Sequence, residues 1–388
     1  DLKYRTGGLE IFANYGWWRG NTRFDRLNDM NTTTSKGTYR QFVSTIGKES
    51  YNDMTGKLGF SYMINDRHSI GAYYQNSWNR HNTDGTIPSE IWQDGILLDL
   101  YNSDVHNQST AVPRHYANIY YNGIVGKLNI DFNADYIWYK SRELTFNNEL
   151  SEMGNDREVN TSSINRNRMF AEKLVMTYPL WKGQIEIGEE YTNTRTTNLF
   201  SANIPETPNA DNRVDENNIA VFAELGQQFG RFMIGAGLRY EHVKFNYYEM
   251  GLLRDGQSKT YNNIFPSLNI ATEVGKVRMG LNYTGKTIRP GYDQLDGAIS
   301  YINRLTYETG NPYLKPTKLQ TVEYMAQWRR FFAQLSYTYF KDGVYHITEP
   351  YGPEGEATII RTANLDHRHY LQAVVGGNFQ DGIRQPKV

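Results

Sequence analysis

A group of aromatic and polar side chains between residues 286 and 317 could bind a ligand by stacking and hydrogen bonding. A tyrosine ring offers an apolar face to a flat partner, and its hydroxyl can bond to that partner at the same time. Sugars and haem-like molecules are ligands of this kind. The candidate ligand-binding residues are Tyr292, Asp293, Tyr301, Asn303, Tyr307 and Tyr313.

Two other clusters have the residue types of a metal site. His367 and His369 are two residues apart, so they point to one face of a strand, but no third ligand is identifiable. The acidic segment 209–216 lacks the residue order of an EF-hand, and a solvated loop is favoured there. No catalytic residue, metal or cofactor is assigned, because no Ser-His-Asp order stands out and no Gly-rich phosphate loop precedes a helix. The chain is not expected to be an enzyme.

The composition narrows the class of protein. The 388 residues include 41 basic and 42 acidic side chains, so the chain lacks the positive charge that nucleic-acid binding requires. The absence of cysteine rules out disulfides and thiolate metal sites. Tyrosine is abundant, with 30 residues, and no run of about 18 apolar residues predicts a transmembrane helix. A β-barrel span needs only alternate apolar residues, so this composition is compatible with one.

The stretch from Lys127 to Lys140 has the pattern of a membrane-spanning strand. Its even positions from Leu128 to Trp138 are apolar or aromatic, and its odd positions from Asn129 to Asp135 are polar. Alternation with period two predicts a strand with one apolar and one wet face. Ten steps of roughly 3.3 Å at a tilt near 40° give about 25 Å, which is the height of the apolar band of an outer-membrane barrel.

The same alternation recurs along the chain, with two kinds of connection between strands. Short turns are predicted at residues 6–8, 65–68, 126–127, 181–183, 229–231, 275–276 and 329–330. Polar segments, interpreted as long loops, are predicted at about 19–55, 80–112, 142–165, 192–216, 249–260 and 286–317. Successive connections of a meander fall on opposite ends of the sheet, so the short turns share one end. Short periplasmic turns and long extracellular loops are typical of outer-membrane barrels.

Alternation also assigns side chains to the two faces of the predicted wall. The residues expected to face lipid are Ile130, Leu238, Leu281 and Leu335. The residues expected to face the lumen are Asp131, Glu186, Glu190, Glu224, Arg239, Glu241, Asn282 and Ser336. Glu189 interrupts the alternation of Ile185 and Ile187, which predicts a β-bulge or a register shift at that point.

The predicted fold is all-β, an antiparallel up-and-down transmembrane β-barrel with about 14–15 strands present. Fourteen full strands follow a partial first strand, and residues 383–388 begin a further one. An open sheet would leave backbone groups unpaired in lipid. Residues 1–388 are therefore interpreted as one outer-membrane β-barrel domain that is incomplete at both ends and has no plug domain. A complete fourteen-stranded barrel is the alternative.

Three pieces of sequence carry a resemblance to a known family. They are Phe265-Pro266-Ser267-Leu268-Asn269, then Arg289-Pro290-Gly291-Tyr292, then Thr309-Gly310-Asn311-Pro312-Tyr313-Leu314-Lys315-Pro316. In this order they resemble the barrel of TonB-dependent outer-membrane receptors. More closely, they are similar to the outer-membrane β-barrel family that carries a carboxypeptidase-regulatory-like N-terminal domain. The motifs cover about residues 265–345, and the weaker pattern of strands and turns covers the whole chain.

The resemblance implies a probable 22-stranded barrel in the cell outer membrane, with an N-terminal plug inside it. It also implies capture of a scarce nutrient by extracellular loops and its import through the plugged barrel. The implied partners are outer-membrane lipid, a small ligand, and the TonB energy-coupling complex, which acts through a plug. No plug, TonB box or regulatory-like domain is recognisable in these residues.

The loop motif is expected to be structural rather than ligand-binding. Its residues are Arg289, Pro290, Gly310, Asn311, Pro312, Lys315 and Pro316. Asn311 and Pro312 favour a turn, Gly310 can adopt a positive φ, and Pro316 stops strand pairing. Arg289 is expected to hold the loop through a carboxylate such as Asp293 or Asp296.

Other functions remain open at the level of sequence. A passive porin with an inward-folded loop would share the wall pattern, and so would a surface adhesin. An outer-membrane protease or lipase is disfavoured by the strand count, because such enzymes usually occupy smaller barrels. A soluble β-sandwich is disfavoured because its strands are usually about 5–6 residues long.

Overall fold

The computed structural model describes residues 1–34, 36–353 and 357–377, and all of its regular structure is β. The strands are β1 (Leu2–Thr6), β2 (Leu9–Thr34), β3 (Gly37–Asn65), β4 (His68–Gln93), β5 (Ile96–Val125), β6 (Leu128–Ser151), β7 (Arg157–Leu180), β8 (Gly183–Ala202), β9 (Ala210–Phe229), β10 (Phe232–Glu249), β11 (Leu252–Leu253), β12 (Lys259–Val274), β13 (Val277–Ile288), β14 (Ile299–Asn303), β15 (Thr306–Thr309), β16 (Thr317–Trp328), β17 (Phe331–Tyr351) and β18 (Ala357–Gly377). In the described ranges no helix is long and apolar enough to cross a membrane.

The wall is an antiparallel meander, as the sequence predicts. Each long strand pairs with the next long strand along the chain, and β13 pairs with β16 across a segment that leaves the wall. Counting only the wall, the described residues hold the fourteen full strands and the partial first strand, β1, that the alternation predicts. The three remaining strands, β11, β14 and β15, are short and belong to the connections.

The short turns lie where the sequence places them. Two residues separate β3 from β4, β5 from β6, β7 from β8, β9 from β10, β12 from β13 and β16 from β17. Several of these turns need a left-handed residue, which is supplied by Gly126, Gly230 or Gly275 and, without glycine, by Trp181 and Arg329. These turns define one end of the barrel, and by the usual asymmetry of outer-membrane barrels it is the periplasmic end.

The polar segments are mostly strand and not loop, which corrects the sequence prediction. Segment 19–55 forms one continuous hairpin of β2 and β3, and segment 80–112 belongs to the hairpin of β4 and β5. Above an apolar band both faces of a strand meet water, so the alternation of apolar residues that marks a strand is lost. The backbone ladder nevertheless continues, because the neighbouring strands are already in register.

The predicted faces are confirmed by register and by contacts. Leu238 and Leu281 are exposed on the outer side, and Leu335 pairs with residues of that same side. Arg239 points inward, where its guanidinium bonds Glu190 at 2.6 Å and Glu241 at 2.8 Å. The charges of Arg239, Glu190 and Glu241 on the inner face are therefore satisfied by one another.

The bulge predicted at Glu189 is absent. Glu189 pairs with Leu174 on one side and Val221 on the other, and the register of β7, β8 and β9 continues through it without a shift. The side chain stays on the outer face and is exposed. A single charged residue on an exposed face does not require the strand to change register.

The wall has two edges in the described part of the chain. β1 pairs only with β2, and the lower part of β18 pairs only with β17. No pairing between β1 or β2 and β18 occurs among the residues described. The strand predicted to begin at residues 383–388 lies outside the described residues.

Candidate functional site

Residues 289–316, which connect β13 to β16, fold back inside the extracellular mouth of the barrel. This mouth segment contains the hairpin of β14 and β15, and it reaches inward-facing side chains of strands spread around the wall. Its contacts include Gln41 of β3, Glu149 of β6, Asn198 of β8 and Lys259 of β12. The longest connection near the family motif is therefore an ordered structure and not a free loop.

Arg304 anchors one side of the mouth segment. Its Nε donates to Oε2 of Glu149 at 2.7 Å, and its Nη1 lies 3.3 Å from Oδ2 of Asp99. The Tyr301 hydroxyl donates to the other oxygen of Glu149, whose side chain has no exposed surface. The guanidinium also lies over the ring of Tyr101, 4.9 Å from its centroid. A buried carboxylate is stable only with such partners.

A second set of charged and polar contacts anchors the opposite side. Arg289 bonds Glu241 of β10 at 2.9 Å and lies 3.5 Å from Glu216 of β9. The carboxylate of Asp296 accepts hydrogen bonds from Asn198 and Asn212. The prediction that Asp293 or Asp296 would hold Arg289 is wrong. The carboxylates of the wall are available to Arg289, because it follows the end of β13 and its guanidinium reaches inward-facing Glu241 of β10 and Glu216 of β9.

Apolar packing and strand pairing also attach the mouth segment to the wall. β15 pairs in parallel with the start of β18, from Thr306 with Thr358 to Thr309 with Arg361. Tyr307 is 2% exposed and packs on Ala357 and Ile359. On the other side Leu295 and Leu314 pack in a buried cluster with residues of β9 and β10. The mouth segment and the wall therefore share two small hydrophobic cores.

Residues of the family motif make turn and close-packing contacts in the mouth segment. Asn311 accepts a hydrogen bond from the backbone of Tyr313 at 2.9 Å and donates one to the carbonyl of Thr362 at 3.0 Å. Pro316 immediately precedes β16. Gly310 does not have the predicted positive φ. Glycine is required there because a Cβ would lie 2.3 Å from the carbonyl oxygen of Asp296.

Two further motif residues, Lys315 and Pro290, also contact neighbouring residues of the wall or the mouth segment. The backbone N–H of Lys315 donates to Asn364 of β18 at 2.8 Å. Pro290 lines a small void against Leu295 and Leu314, beside Arg289. These contacts lie between the mouth segment and the wall.

The predicted ligand-binding tyrosines are not equivalent. Tyr313 is 57% exposed, whereas Tyr292, Tyr301 and Tyr307 are packed between the mouth segment and the wall. Burial raises the pKa of Tyr292 to about 12. Burial, followed by the charge of Glu149, raises the pKa of Tyr301 as well. Both hydroxyls are therefore neutral at physiological pH.

The two polar candidates also differ. The side chain of Asn303 accepts a hydrogen bond from the backbone of Leu305 at 3.1 Å, so it stabilises the turn between β14 and β15. Asp293 lines a cavity, and its carboxylate has no hydrogen-bond or ion-pair partner among the described residues. Asp293 and Tyr301 are thus brought to the same cavity, while Asn303 is a turn residue.

A cavity of about 600 Å³ lies between the mouth segment and strands β5 to β8, and β4, β17 and β18 each contribute one lining residue. Its lining is rich in carboxamides, hydroxyls and carboxylates, and neither lysine nor arginine is among the lining residues. Its polar lining residues include Asn107, Glu143, Asn147, Asn198, Asp293, Ser300, Glu308 and His346. Phe200 and Tyr301 contribute aromatic surface.

Some polar groups in this cavity have no protein partner. The Oδ1 atom of Asn147 is buried without a hydrogen bond, although the residue is only 5% exposed. The carboxylates of Asp293 and Glu308 likewise lack partners in the described part of the chain. Buried polar groups are normally satisfied, so the Asn147 oxygen is available to a water or a ligand. Asp293 and Glu308 are exposed, and their carboxylates can bond either one.

Sequence reasoning missed the wall residues of this site. Glu149, Asp99 and Asn147 lie in segments read as solvated loops, where an acidic or amide residue has no distinguishing pattern. Arg304 is separated from Glu149 by 155 positions and from Asp99 by 205. In the described ranges no group of three or more His, Asp or Glu side chains could hold a metal ion.

The comparison with protein families decides the identity of the barrel. The model of the outer membrane protein beta-barrel family matches residues 125–382. The chain belongs to this family. Its location is accordingly the outer membrane. No protein among the curated sequences matches the chain.

Solved structures share the fold of this family member at low sequence identity. The copper transporter OprC is 12% identical with a TM-score of 0.56, and the match covers 96% of this chain and 60% of the OprC chain. The ferric enterobactin receptor PfeA is 13% identical with a TM-score of 0.51, covering 95% and 60%. The ferric-catecholate import receptor Fiu of E. coli K12 is 11% identical with a TM-score of 0.50, covering 97% and 63%. The chain therefore spans less than two thirds of each.

Proposed function

We propose that this barrel is the wall of an outer-membrane receptor that captures a small ligand and imports it through its lumen. The observation that carries the proposal is the mouth segment, which is held in the lumen beside a polar cavity by the Arg304–Glu149 ion pair, whose carboxylate is buried, and by the partly buried Arg289–Glu241 pair. The proposed cycle needs no covalent chemistry. Ligand binding at the mouth would precede release of the segment and passage inward.

The proposed energy source is the TonB complex, acting through a plug that would occupy the lumen. Two features support a lumen wide enough for a plug. The inner face carries ion-paired charges along β7 to β10, as a solvated or plugged lumen requires. Among the described residues the wall also has unpaired edges at β1 and β18, which further strands would close. Further strands at these edges would give the larger barrel that the sequence predicts.

The cavity favours a neutral, polyhydroxylated ligand such as an oligosaccharide. Carboxylates and carboxamides accept and donate hydrogen bonds to hydroxyl groups, and an aromatic ring such as Tyr301 can stack on a sugar face. An anionic ligand would meet Glu143, Asp293 and Glu308 without a lysine or arginine on the lining. The copper transporter and the ferric-siderophore receptors share the fold but do not assign such a ligand to this chain.

A passive porin is the second candidate, because an inward-folded segment that narrows the lumen also fits a diffusion channel. An adhesin is less well supported, since it requires neither the cavity nor the buried anchors. The two transport candidates differ in their need for energy. A receptor coupled to TonB depends on the inner-membrane proton gradient, and a porin does not.

The test measures uptake of a fluorescent mixture of neutral oligosaccharides by cells that express the full-length protein. The variant Asp293→Asn/Glu308→Gln keeps side-chain shape and removes the two unpartnered carboxylates. Each lost hydrogen bond to a charged group is worth about 1.5–3 kcal/mol, so apparent affinity should fall at least roughly tenfold. Asp66→Asn, in the turn between β3 and β4, is the matched control and should leave uptake unchanged.

The outcomes separate the candidates. Uptake that stops when the proton gradient is collapsed, and that weakens in the cavity variant, supports the receptor. Saturable uptake that continues without the gradient supports the porin. An expressed and folded protein that gives no uptake above background, with no binding of the mixture, contradicts both transport functions for this ligand class.

A further inference from the structure

Four basic side chains form a patch on the outer face of β6 and β7. The basic patch consists of Lys140 and Arg142 on β6 and Arg166 and Arg168 on β7. Lys140 and Arg142 continue the even-numbered, outward series that begins at Leu128, and register places Arg166 opposite Lys140 and Arg168 opposite Trp138. All four therefore point away from the lumen.

The patch is electrostatically unsatisfied within the protein. Lys140 and Arg166 are directly opposite each other, and Arg168 is directly opposite Arg195 of β8. Like charges in directly opposed positions destabilise a sheet unless something neutralises them. Arg195 bonds Asp215 at 2.6 Å, but no carboxylate pairs with the four patch residues in the described part of the chain. Arg142, Arg166 and Arg168 are exposed.

The height of the patch places it at the membrane surface. Trp138, which ends the apolar series of β6, stacks on His115 with ring centroids 4.7 Å apart. Aromatic residues at this position mark the boundary between hydrocarbon and headgroups. Lys140 is two residues further along, which is about 5 Å higher at 3.3 Å per residue and a tilt near 40°. The patch thus lies at headgroup level in the extracellular leaflet.

We propose that the basic patch binds the phosphate groups of an anionic lipid in the outer leaflet. Guanidinium groups bind phosphate through paired N–H donors, and three arginines on adjacent strands can hold one headgroup with several bonds. The acyl chains of that lipid would lie below, along the outward apolar residues Tyr136 and Phe170, which are paired across β6 and β7. This site is outside the lumen and does not depend on the proposed transport function.

A lipid is favoured over free phosphate because of what surrounds the patch. The cations and the apolar surface are continuous on one face, so a molecule that has both a phosphate and acyl chains buries both. A free phosphate ion would gain only the electrostatic part, which salt screens strongly at an exposed site. The assignment is therefore to the lipid headgroup.

The experiment titrates the full-length protein in neutral detergent with bis-phosphorylated lipid A and counts bound lipid by native mass spectrometry. Arg166→Gln/Arg168→Gln removes two charges, and its matched control is Arg329→Gln/Arg330→Gln in a periplasmic turn. Each basic residue near an anionic surface adds to the free energy of binding, so the loss of two should weaken the binding of lipid A about thirtyfold. Arg166→Lys/Arg168→Lys keeps the charge and should retain most of the binding. Heat-modifiable gel migration confirms that each barrel is folded.

Four results would overturn the proposal. Equal lipid A affinity in the patch variant and the parent protein would show that these arginines do not bind it. An equal loss of lipid A affinity in the Arg329→Gln/Arg330→Gln control would show that the effect comes from the net charge of the protein and not from the patch. Undiminished binding of dephosphorylated lipid A would show that the phosphate groups are not what the patch binds. Complete displacement of lipid A by inorganic phosphate would show that the site binds phosphate and does not require a lipid.

Discussion

Arg304 donates to Glu149 at 2.7 Å across the barrel mouth, and the Glu149 side chain is fully buried. One of these residues belongs to the mouth segment and the other to β6, so the bond joins the segment to the wall. Breaking a buried ion pair by removing one partner leaves an uncompensated charge, which costs about 3–5 kcal/mol. The mouth segment should therefore depend on this pair more than on any exposed contact.

Arg304→Ala should release the mouth segment without unfolding the wall. Amides of residues 299–309 should exchange with solvent much faster, while those of β6 and β7 keep their protection. Glu149→Gln combined with Arg304→Met removes both charges and should restore much of the protection. If the single variant leaves exchange in β14 and β15 unchanged, the pair does not hold the segment.

The two faces of β13 should differ in their tolerance of charge. Leu281 faces outward and is 39% exposed, and Asn282 faces inward, where it bonds Asn269. Leu281→Arg should lower the free energy of unfolding by roughly 2–4 kcal/mol if this position is near the bilayer midplane, and Asn282→Arg by far less. Urea titration of the barrel in lipid measures both values. Equal losses would refute the assignment of faces.

The tyrosines of the mouth segment should separate into packing and contact residues. Tyr307 is buried against Tyr301 and Tyr351, with ring centroids 5.6 and 4.9 Å away, so Tyr307→Ala should increase hydrogen exchange across β15. Tyr313→Ala should leave exchange unchanged. If Tyr313 contacts ligand, its loss should weaken oligosaccharide binding by up to about tenfold. A Tyr307→Ala protein with unchanged exchange would contradict the packing described for this ring.

Alkaline pH should loosen the mouth segment before the wall. Burial raises the pKa of Tyr292 from its ordinary value of 10 to about 12, so the folded segment keeps a proton that the released segment loses. The stabilising contribution is complete below pH 10 and is lost as pH rises towards about 12. Exchange of residues 289–296, corrected for intrinsic rate, should rise across that window and rise less in Tyr292→Phe. Titration of Tyr292 near pH 10, followed by absorbance, would contradict its burial.

The sequence predicts the wall well because a spanning strand has a strict period of two. The start of β6 at Leu128 and the turn at Gly126 and Lys127 are correct to the residue, whereas the strand continues past Trp138 to Ser151. The pattern fails above the membrane, where β2 and β3 continue as a paired hairpin although both faces are polar. There the backbone ladder persists without any apolar alternation to reveal it.

The site was only partly predictable. The motif from Arg289 to Pro316 identifies the segment that matters, and Asn311 and Pro312 make the expected turn. Its partners could not be predicted, because Glu149, Glu241 and Asn198 are brought to it by the closure of the wall and not by sequence proximity. The role of Gly310 also depends on a close contact with the backbone of Asp296 that the motif alone does not specify.

The central claim is that the mouth segment is packed inside the barrel and must move for ligand to pass. The chain has no cysteine, so Thr306→Cys/Thr358→Cys introduces a single possible disulfide between register partners of β15 and β18. Thr306→Cys/Asn193→Cys is the control, since Asn193 faces outward on β8.

The measurement is oligosaccharide uptake by cells carrying the Thr306→Cys/Thr358→Cys protein, before and after reduction. The account predicts that the disulfide forms under mild oxidation, that uptake then stops, and that a reductant restores it, while the control pair forms no bond. Failure of the disulfide to form, or full uptake with the disulfide intact, would contradict the account.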